Sequence, residues 1–487
     1  MMRNSNFART ASLVAFVACL SLAVWGITPW GITPALAQSA PDTQTDAEPI
    51  AWQESSAMTD TFIVKKNFWR TAAEVIGLNT MIWTYDRYIR EGGTNPGFRI
   101  GFNSWEENLK NGYEWDDNNF STNQIDHPFH GSLYFNAARS NGYSFWESVP
   151  FTFVGSFTWE YFYEVHHPSM NDWIATSVGG VTLGEVQNRL SATIRDNTAR
   201  GSSRTWREIG ALFVNPMGGL NRIIDGDWNR VYENPTDRYP NSYRSTMNFG
   251  ARKRADEHLF ASNDTTGAFV EFDFDFGDPF YGDMEKPFDH FDFGLQLNFK
   301  DEKLIGRAQI NGMLGGTVIS ESDDITHIIG GFLHYDYVNN SNVKYGAQSV
   351  GAGLLSRYKT SHGLEIKTEL HTNVILVGAS LSDYETFTGR EYDYGPGFSA
   401  EFAAEFGANG WHFLRFSHEQ MFIHTVNGTD ADHFLGITTA ALTVPISSTY
   451  GAGLEYVLYT SEKQYDKFEN TSSRAPQIRL YGTILIR

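Results

Sequence analysis

From about Tyr243 to the end of the chain, apolar and polar residues alternate in runs closed by Gly, Asn or Asp. The clearest run is Ala268-Phe269-Val270-Glu271-Phe272-Asp273-Phe274-Asp275-Phe276. Successive strand side chains point to opposite faces, so this run puts Phe272, Phe274 and Phe276 on one side and its carboxylates on the other. The same period recurs in Phe291, Phe293, Leu295, Leu297 and Phe299, which oppose His290, Asp292, Gln296 and Asn298. It recurs again in Leu364, Ile366, Thr368, Leu370 and Val374, and in Phe398, Ala400, Phe402, Ala404 and Phe406. About twelve such segments, each roughly ten to twenty residues long, predict an antiparallel transmembrane β-barrel. A soluble sandwich also alternates, but its strands are shorter and its closed core does not tolerate Glu and Asp pointing inward, as a wet lumen does.

The first half has a different period. Residues 58–225 read as an α-helical domain, so the fold class is α+β, with helices first and the barrel at residues 243–487. Thr59-Asp60 predicts a cap for a helix running to Tyr88, with Ala72, Val75, Ile76, Asn79, Ile82 and Trp83 at three- and four-residue spacing. In the aromatic stretch 143–164, Pro150 is expected in the first turn of a helix. Ser169 or Asn171 predicts the start of another, reaching about Arg195. A further helix is expected over about Arg204–Val214, stopped by Asn215-Pro216-Met217-Gly218-Gly219. Gly180 and Gly184 make a small-residue surface on which another helix can pack closely. Residues 226–242 read as a linker. In an even-stranded barrel a domain leading into the first strand begins on the periplasmic side. The helices are therefore expected there, or as a plug in the lumen.

The N-terminus supplies an address. Arg3 and Arg9 precede an apolar run from Ala11 to Trp25, and Ala35-Leu36-Ala37 follows. That order predicts a cleaved signal peptide over 1–37 and secretion to the outer membrane of a Gram-negative cell. A polar leader occupies 38–57. The single cysteine, Cys19, lies inside the apolar run, so disulfide and thiol chemistry are not expected of the mature chain. Cleavage removes two arginines and no carboxylate, which moves the formal charge from −20 to −22. So acidic a chain is a poor partner for nucleic acid. The expected partners are outer-membrane lipids, the barrel assembly machinery, and a small solute or lipid.

Candidate chemistry lies in the helical half. Glu160 and Glu164 share a helix face, and Glu185 and Arg189 have the spacing of an ion pair. Two readings compete. In one, His130, Glu160, Glu164 and Asp172 converge on a cation or act as acid and base on a lipid headgroup or envelope glycan. In the other they join His127, Asn136, Arg139, Asn171, Glu185, Arg189, Asn221 and Arg222 in a buried polar network that fixes helix packing. The spacing matches no H-E-x-x-H pattern, so no metal is assigned and no cofactor is expected. Ser417 and His418 are adjacent on a strand, face opposite ways, and cannot pair as nucleophile and base.

The segments HPFHGSLYFNAARSNGY from His127, WEYFYE from Trp159, NDW from Asn171 and NPMGGLNR from Asn215 resemble an uncharacterised bacterial envelope family, a domain of unknown function. The resemblance covers about residues 100–225. It implies an envelope location and carries no reaction. Together these features predict a plugged or gated pore, or a lipid- or solute-handling barrel; the alternative is an outer-membrane enzyme using the His/Glu/Asp cluster.

Overall fold

The computed structural model describes residues 66–235, 239–255, 265–282, 284–299, 303–340, 343–384 and 390–486. The signal-peptide and leader segments and the Thr59-Asp60 cap lie outside these residues. The first described helix, α1 (Phe68–Tyr88), is capped by Asn67, whose side chain accepts from the Arg70 N–H, and it buries Thr71, Val75, Leu78 and Asn79 along one stripe. Then follow α2 (Phe102–Asn111), a π-type turn (Thr122–Asp126), α3 (His127–Ser140) and α4 (Phe145–Phe162). Next come α5 (Met170–Ile174), a second π-type turn (Ala175–Gly179), α6 (Gly180–Ile194), α7 (Gly201–Val214) and α8 (Pro216–Ile224). Two details differ from the sequence reading. Ser144 and Glu147 form a capping box that starts α4 early, so Pro150 falls beyond its first turn. Asn215 ends α7 but also caps α8 through its side chain, which makes Gly218 and Gly219 helical.

The second half is a closed antiparallel barrel of twelve strands. They are β1 (Tyr243–Arg254), β2 (Thr265–Phe276), β3 (Phe291–Phe299), β4 (Ile305–Glu321), β5 (Ile325–Asn339) and β6 (Lys344–Lys359), followed by β7 (Glu365–Leu381), β8 (Tyr392–Ala408), β9 (Trp411–His424), β10 (Ala431–Pro445), β11 (Tyr450–Tyr465) and β12 (Thr471–Ile486). Closure is made by β1 against β12, from Ser245↔Ile486 to Arg254↔Gln477. The period of two is obeyed. Glu271, Asp273 and Asp275 face the lumen with Arg307, Gln309, Glu401, Glu405 and Glu455. The alternate positions form the outer wall, where Phe398, Leu442, Leu454 and Leu480 are 62%, 50%, 51% and 66% exposed.

One strip of that wall is covered. Phe276, Phe291, Ile310, Tyr335, Tyr337, Ala379, Tyr392 and Tyr394 share the outward parity, yet they are buried in one cluster with Phe120, Phe135, Phe145, Val181, Val186 and Leu190 of the helical domain. The strip reaches both ends of the barrel. At the end where β1 begins, Arg189 donates to Asp289 Oδ1 at 2.9 Å and to the Pro287 carbonyl at 2.6 Å. There Phe145 also stacks on Phe288, with ring centroids 5.7 Å apart. At the opposite end, Asn123 Nδ2 donates to Tyr392 Oη at 2.9 Å, and Arg390 donates to the Asp116 carbonyl at 2.6 Å. The described helices thus lie against the outer face of the barrel, and no described helical residue lines the lumen cavities. The aromatic outward face offers the helices a larger apolar surface than the charged lumen does. No described helix is long and apolar enough to cross a membrane, which says nothing of the strands.

The helices themselves cross closely where the small residues lie. A Cβ on Gly131 would stand 1.7 Å from the Thr176 carbonyl oxygen, and one on Gly180 would stand 2.6 Å from Gly131 Cα. Gly131→Ala must therefore push α3 and α6 apart, at a cost of about 1–3 kcal/mol or more. The expected result is a lower midpoint for loss of helical circular dichroism with the barrel's heat-modifiable gel migration retained. An unchanged midpoint would contradict this packing.

Candidate functional site

The tightest grouping of chemistry-bearing residues forms where three helix ends meet. His127 opens α3, Glu160 lies in the last turn of α4, and Asp172 lies in the first turn of α5. Their ligand atoms all lie within 4.8 Å of one another. Each side chain is aimed by a neighbour. His127 turns Nε2 toward Asp172 Oδ2 at 3.5 Å and Nδ1 toward Thr176 Oγ1 at 3.2 Å. Glu160 Oε2 accepts the Ser169 N–H at 2.9 Å, and Asp172 Oδ1 accepts from Asn171 Nδ2 at 2.8 Å. The Ser169 side chain caps α5 by accepting the Asp172 N–H, and the segment before it pairs with Glu114 through Glu114 N–Pro168 O at 2.7 Å and Met170 N–Glu114 O at 2.8 Å. Helix start and loop are thus both pinned.

A chain of hydrogen bonds joins this cluster to the barrel. Asn171 Nδ2 donates to Asp116 Oδ1 at 2.6 Å, Asn123 Nδ2 donates to the same oxygen at 2.8 Å, and Asn123 Nδ2 also reaches Tyr392 Oη. Next to it, Gln348 Nε2 on β6 donates to Gln124 Oε1 at 3.1 Å.

The charge around the cluster is unlike that elsewhere in the domain. Buried Glu185 is held by Arg139 at 2.8 Å and Arg189 at 2.9 Å, and buried Glu208 by Arg222 at 2.6 Å and Arg204 at 3.4 Å. Among the described residues no arginine or lysine is ion-paired with Asp116, Glu160, Glu164 or Asp172. Burial, with the nearby carboxylates, pushes Glu160 and Asp172 well above the usual carboxylate range. Burial also raises Glu164 to about 7, opposed by its hydrogen bond from Trp159. It lowers His130 to about 3, with His127 adding to the effect.

The structure separates the residues singled out from sequence. Glu160 and Asp172 meet, and their histidine is His127. His130 points away: its Nε2 is 2.7 Å from Tyr134 Oη and its ring packs edge-on against Trp159. Glu164 accepts from Trp159 Nε1 at 2.7 Å, one turn beyond Glu160. Arg139, Glu185 and Arg189 form one ionic group that links α3 and α6 to Asp289. Asn136 donates to the Gly184 carbonyl at 3.1 Å and accepts from Asn215 at 2.9 Å. Asn221 accepts from Arg70 at 2.8 Å, and Arg222 holds Glu208 and Asn197 Oδ1. Asp116, Asn123, Thr176, Tyr392 and Tyr394 were not among the sequence candidates. The side-chain to side-chain hydrogen bonds that tie them to the cluster and the barrel run from 49 residues (Thr176 to His127) to 271 (Asn123 to Tyr394), apart from Asn123 to Asp116 at 7, and no local spacing signals them. Ser417 lines the lumen, whereas His418 pairs with Thr438 at 2.9 Å on the other face, as the strand period requires.

The lumen is the second feature with functional shape. A cavity of about 360 Å³ lies among Arg244, Asp275, Asp292, Glu369, Glu405 and Arg415, toward the end where β1 begins. Acidic side chains outnumber basic ones around it. Deeper in, Arg479 bridges Glu455 at 2.6 Å and Glu271 at 3.1 Å. Toward the opposite end the inward positions turn apolar: Val338, Tyr345, Ile375, Met421, Ile423, Leu435, Val457 and Tyr459 pack into one layer across the barrel.

The architecture defines a twelve-strand barrel whose wall carries a helical domain on its outer face. Residues 112–217 match the model of a domain of unknown function (DUF3943), which agrees with an uncharacterised family over this part of the chain. No curated protein matches the chain. Among solved structures, the NanC porin matches at 11% identity over 50% of this chain and 100% of that chain, with a TM-score of 0.27. The outer membrane channel DcaP of Acinetobacter baumannii matches at 8% over 50% and 96%, with a TM-score of 0.23. The CymD monoaromatic hydrocarbon channel matches at 7% over 51% and 89%, with a TM-score of 0.21.

The pH dependence of the helical domain follows from Glu164. Its folded pKa is raised above the ordinary value of 4.5 to about 7, so the native state binds the proton more tightly than the unfolded chain does. The stability from this group is fully present below pH 4.5 and falls as pH rises toward 7. Glu164→Gln is expected to flatten that part of the profile when helical unfolding midpoints are measured across the window. A profile identical to the parent would contradict the assignment.

Proposed function

We propose that the protein is a β-barrel of the outer membrane that works as a gated pore or binding vestibule for small polar or cationic solutes. The observation that carries this reading is the division of the lumen: an acid-rich cavity toward one end and an apolar layer across the other. Such a layer stops ion flow by excluding water, much as hydrophobic constrictions do in other channels. The carboxylate excess in the cavity favours cations over anions. The apolar outer wall supports placement in a lipid bilayer, since its uncovered outward side chains suit hydrocarbon and the closed ring leaves no sheet edge. On one side the helical domain takes the place of lipid along that wall. It would then act as a rigid buttress against which β2–β8 are held.

Planar-bilayer recording tests this reading. The unmodified protein is expected to be silent or nearly so at moderate voltage. Thinning the layer with Met421→Ala and Ile423→Ala together is expected to raise conductance several-fold and to make the current cation-selective. Steady large conductance from the unmodified protein, or no change in the double variant, would contradict a pore closed by this layer.

A further inference from the structure

We propose that His127, Glu160 and Asp172 form a binding site for one divalent transition-metal ion inside the helical domain. This goes beyond the reading of the lumen and does not depend on it. One imidazole and two carboxylates are a donor set used for first-row divalent ions. Ligand atoms each about 2.1 Å from one ion stand roughly 3.4 Å apart in tetrahedral geometry. His127 Nε2 and Asp172 Oδ2 are already 3.5 Å apart, and the Glu160 oxygen lies within 4.8 Å of both, so a small inward movement of Glu160 completes the triangle.

The surroundings are those of held ligands. Metal-binding histidines turn their other nitrogen to a hydrogen-bond partner, and bound carboxylates are themselves hydrogen-bonded. Here Thr176 meets His127 Nδ1, Ser169 N–H meets Glu160, and Asn171 meets Asp172. Both π-type turns of the domain border the site. Thr122–Asp126 runs directly into His127, and Ala175–Gly179 carries Thr176 one turn after Asp172. Single-turn π insertions re-aim side chains and recur at functional sites.

Charge gives an independent reason. Within the same domain Glu185 and Glu208 each take two arginines, while Glu160 and Asp172 take none among the described residues. Two carboxylates packed together out of water need a positive partner or a shared proton. A divalent ion at the centre of the triangle supplies that partner and satisfies both oxygens at once. Asp116, hydrogen-bonded to Asn171, adds negative potential from just outside the ligand set.

The test uses the full chain in detergent, stripped with a chelator and then equilibrated separately with Zn²⁺ and Mn²⁺. Metal retained after gel filtration is measured by mass spectrometry. The expected result is about one tightly held ion per chain with one of the two ions. His127→Gln and Asp172→Asn are expected to weaken binding at least a hundredfold, and Thr176→Val about tenfold through the histidine's orientation. Helical circular dichroism and heat-modifiable migration check that the variants fold. Should they not fold, the unmodified protein still decides: Co²⁺ is expected to give visible absorption bands displaced by stoichiometric Zn²⁺. Absence of stoichiometric binding of either ion overturns the proposal. So does binding of equal strength in the His127→Gln and Asp172→Asn variants, which would place the metal on lumen carboxylates and leave the triad a proton-sharing packing network.

Discussion

The pairing of β1 with β12 is the constraint from which the remaining features follow. Once β1 pairs with β12 the sheet closes on itself and no free edge strand remains. Inward and outward faces are then fixed for every residue, because a one-residue slip at the seam would send Glu271 and Asp273 outward and Phe272 and Phe274 inward. The ionic network centred on Arg479, Glu271 and Glu455 straddles β12, β2 and β11, across that seam. It locks the register with charges that have no favourable place on the other face. Arg479 Nη1 reaches both carboxylates, and loss of one partner would leave buried charge unpaired.

The outer wall is then a surface that must be covered by something apolar. Over the rest of the circumference no described helical residue does so. Over one strip from end to end, helices do, and the contact is made of aromatics: Phe120 on Tyr337, Phe145 on Phe288, Trp115 on Tyr394. Behind that aromatic layer the helical domain carries its polar residues inward, where Glu185, Glu208 and Asn136 are fully partnered. Beside its apolar core of Val75, Leu78, Leu133 and Met217 the domain thus buries a set of polar groups. That burial keeps carboxylates and histidine away from water and gives the His127–Glu160–Asp172 cluster its unusual electrostatics.

Much of this was legible in the order of residues. A period of two over about twelve segments is enough to specify strands, faces and closure, because the signal is local and repeated. Helix positions followed from three- and four-residue spacing, with errors where capping overrode it: Ser144 and Glu147 start α4 ahead of Pro150, and Asn215 starts a helix as well as ending one. The placement of the helical domain was not legible. Which outward aromatics stay uncovered and which face Phe120 depends on contacts more than 200 residues apart, and Tyr335 reads the same as Phe398 in sequence. In the same way, His127 and His130 both sit in one motif. The structure puts the first with the carboxylates and stacks the second, three residues on, against Trp159.

The most direct measurement of the central claim is the lipid accessibility of outward positions. Nitroxide labels on single cysteines can be placed at Phe398, Leu442 and Leu454 on the bare wall, and at Ile310 and Ala379 on the covered strip. A further label at Thr439 reports the lumen, and all are compared in reconstituted vesicles. The account predicts high accessibility to oxygen dissolved in the bilayer at the three bare positions and low accessibility at Ile310 and Ala379. At Thr439, a water-soluble relaxation agent should dominate over oxygen. Equal oxygen accessibility at bare and covered positions would contradict the docking of helices on the wall. Low oxygen accessibility at all of them would contradict a barrel in lipid.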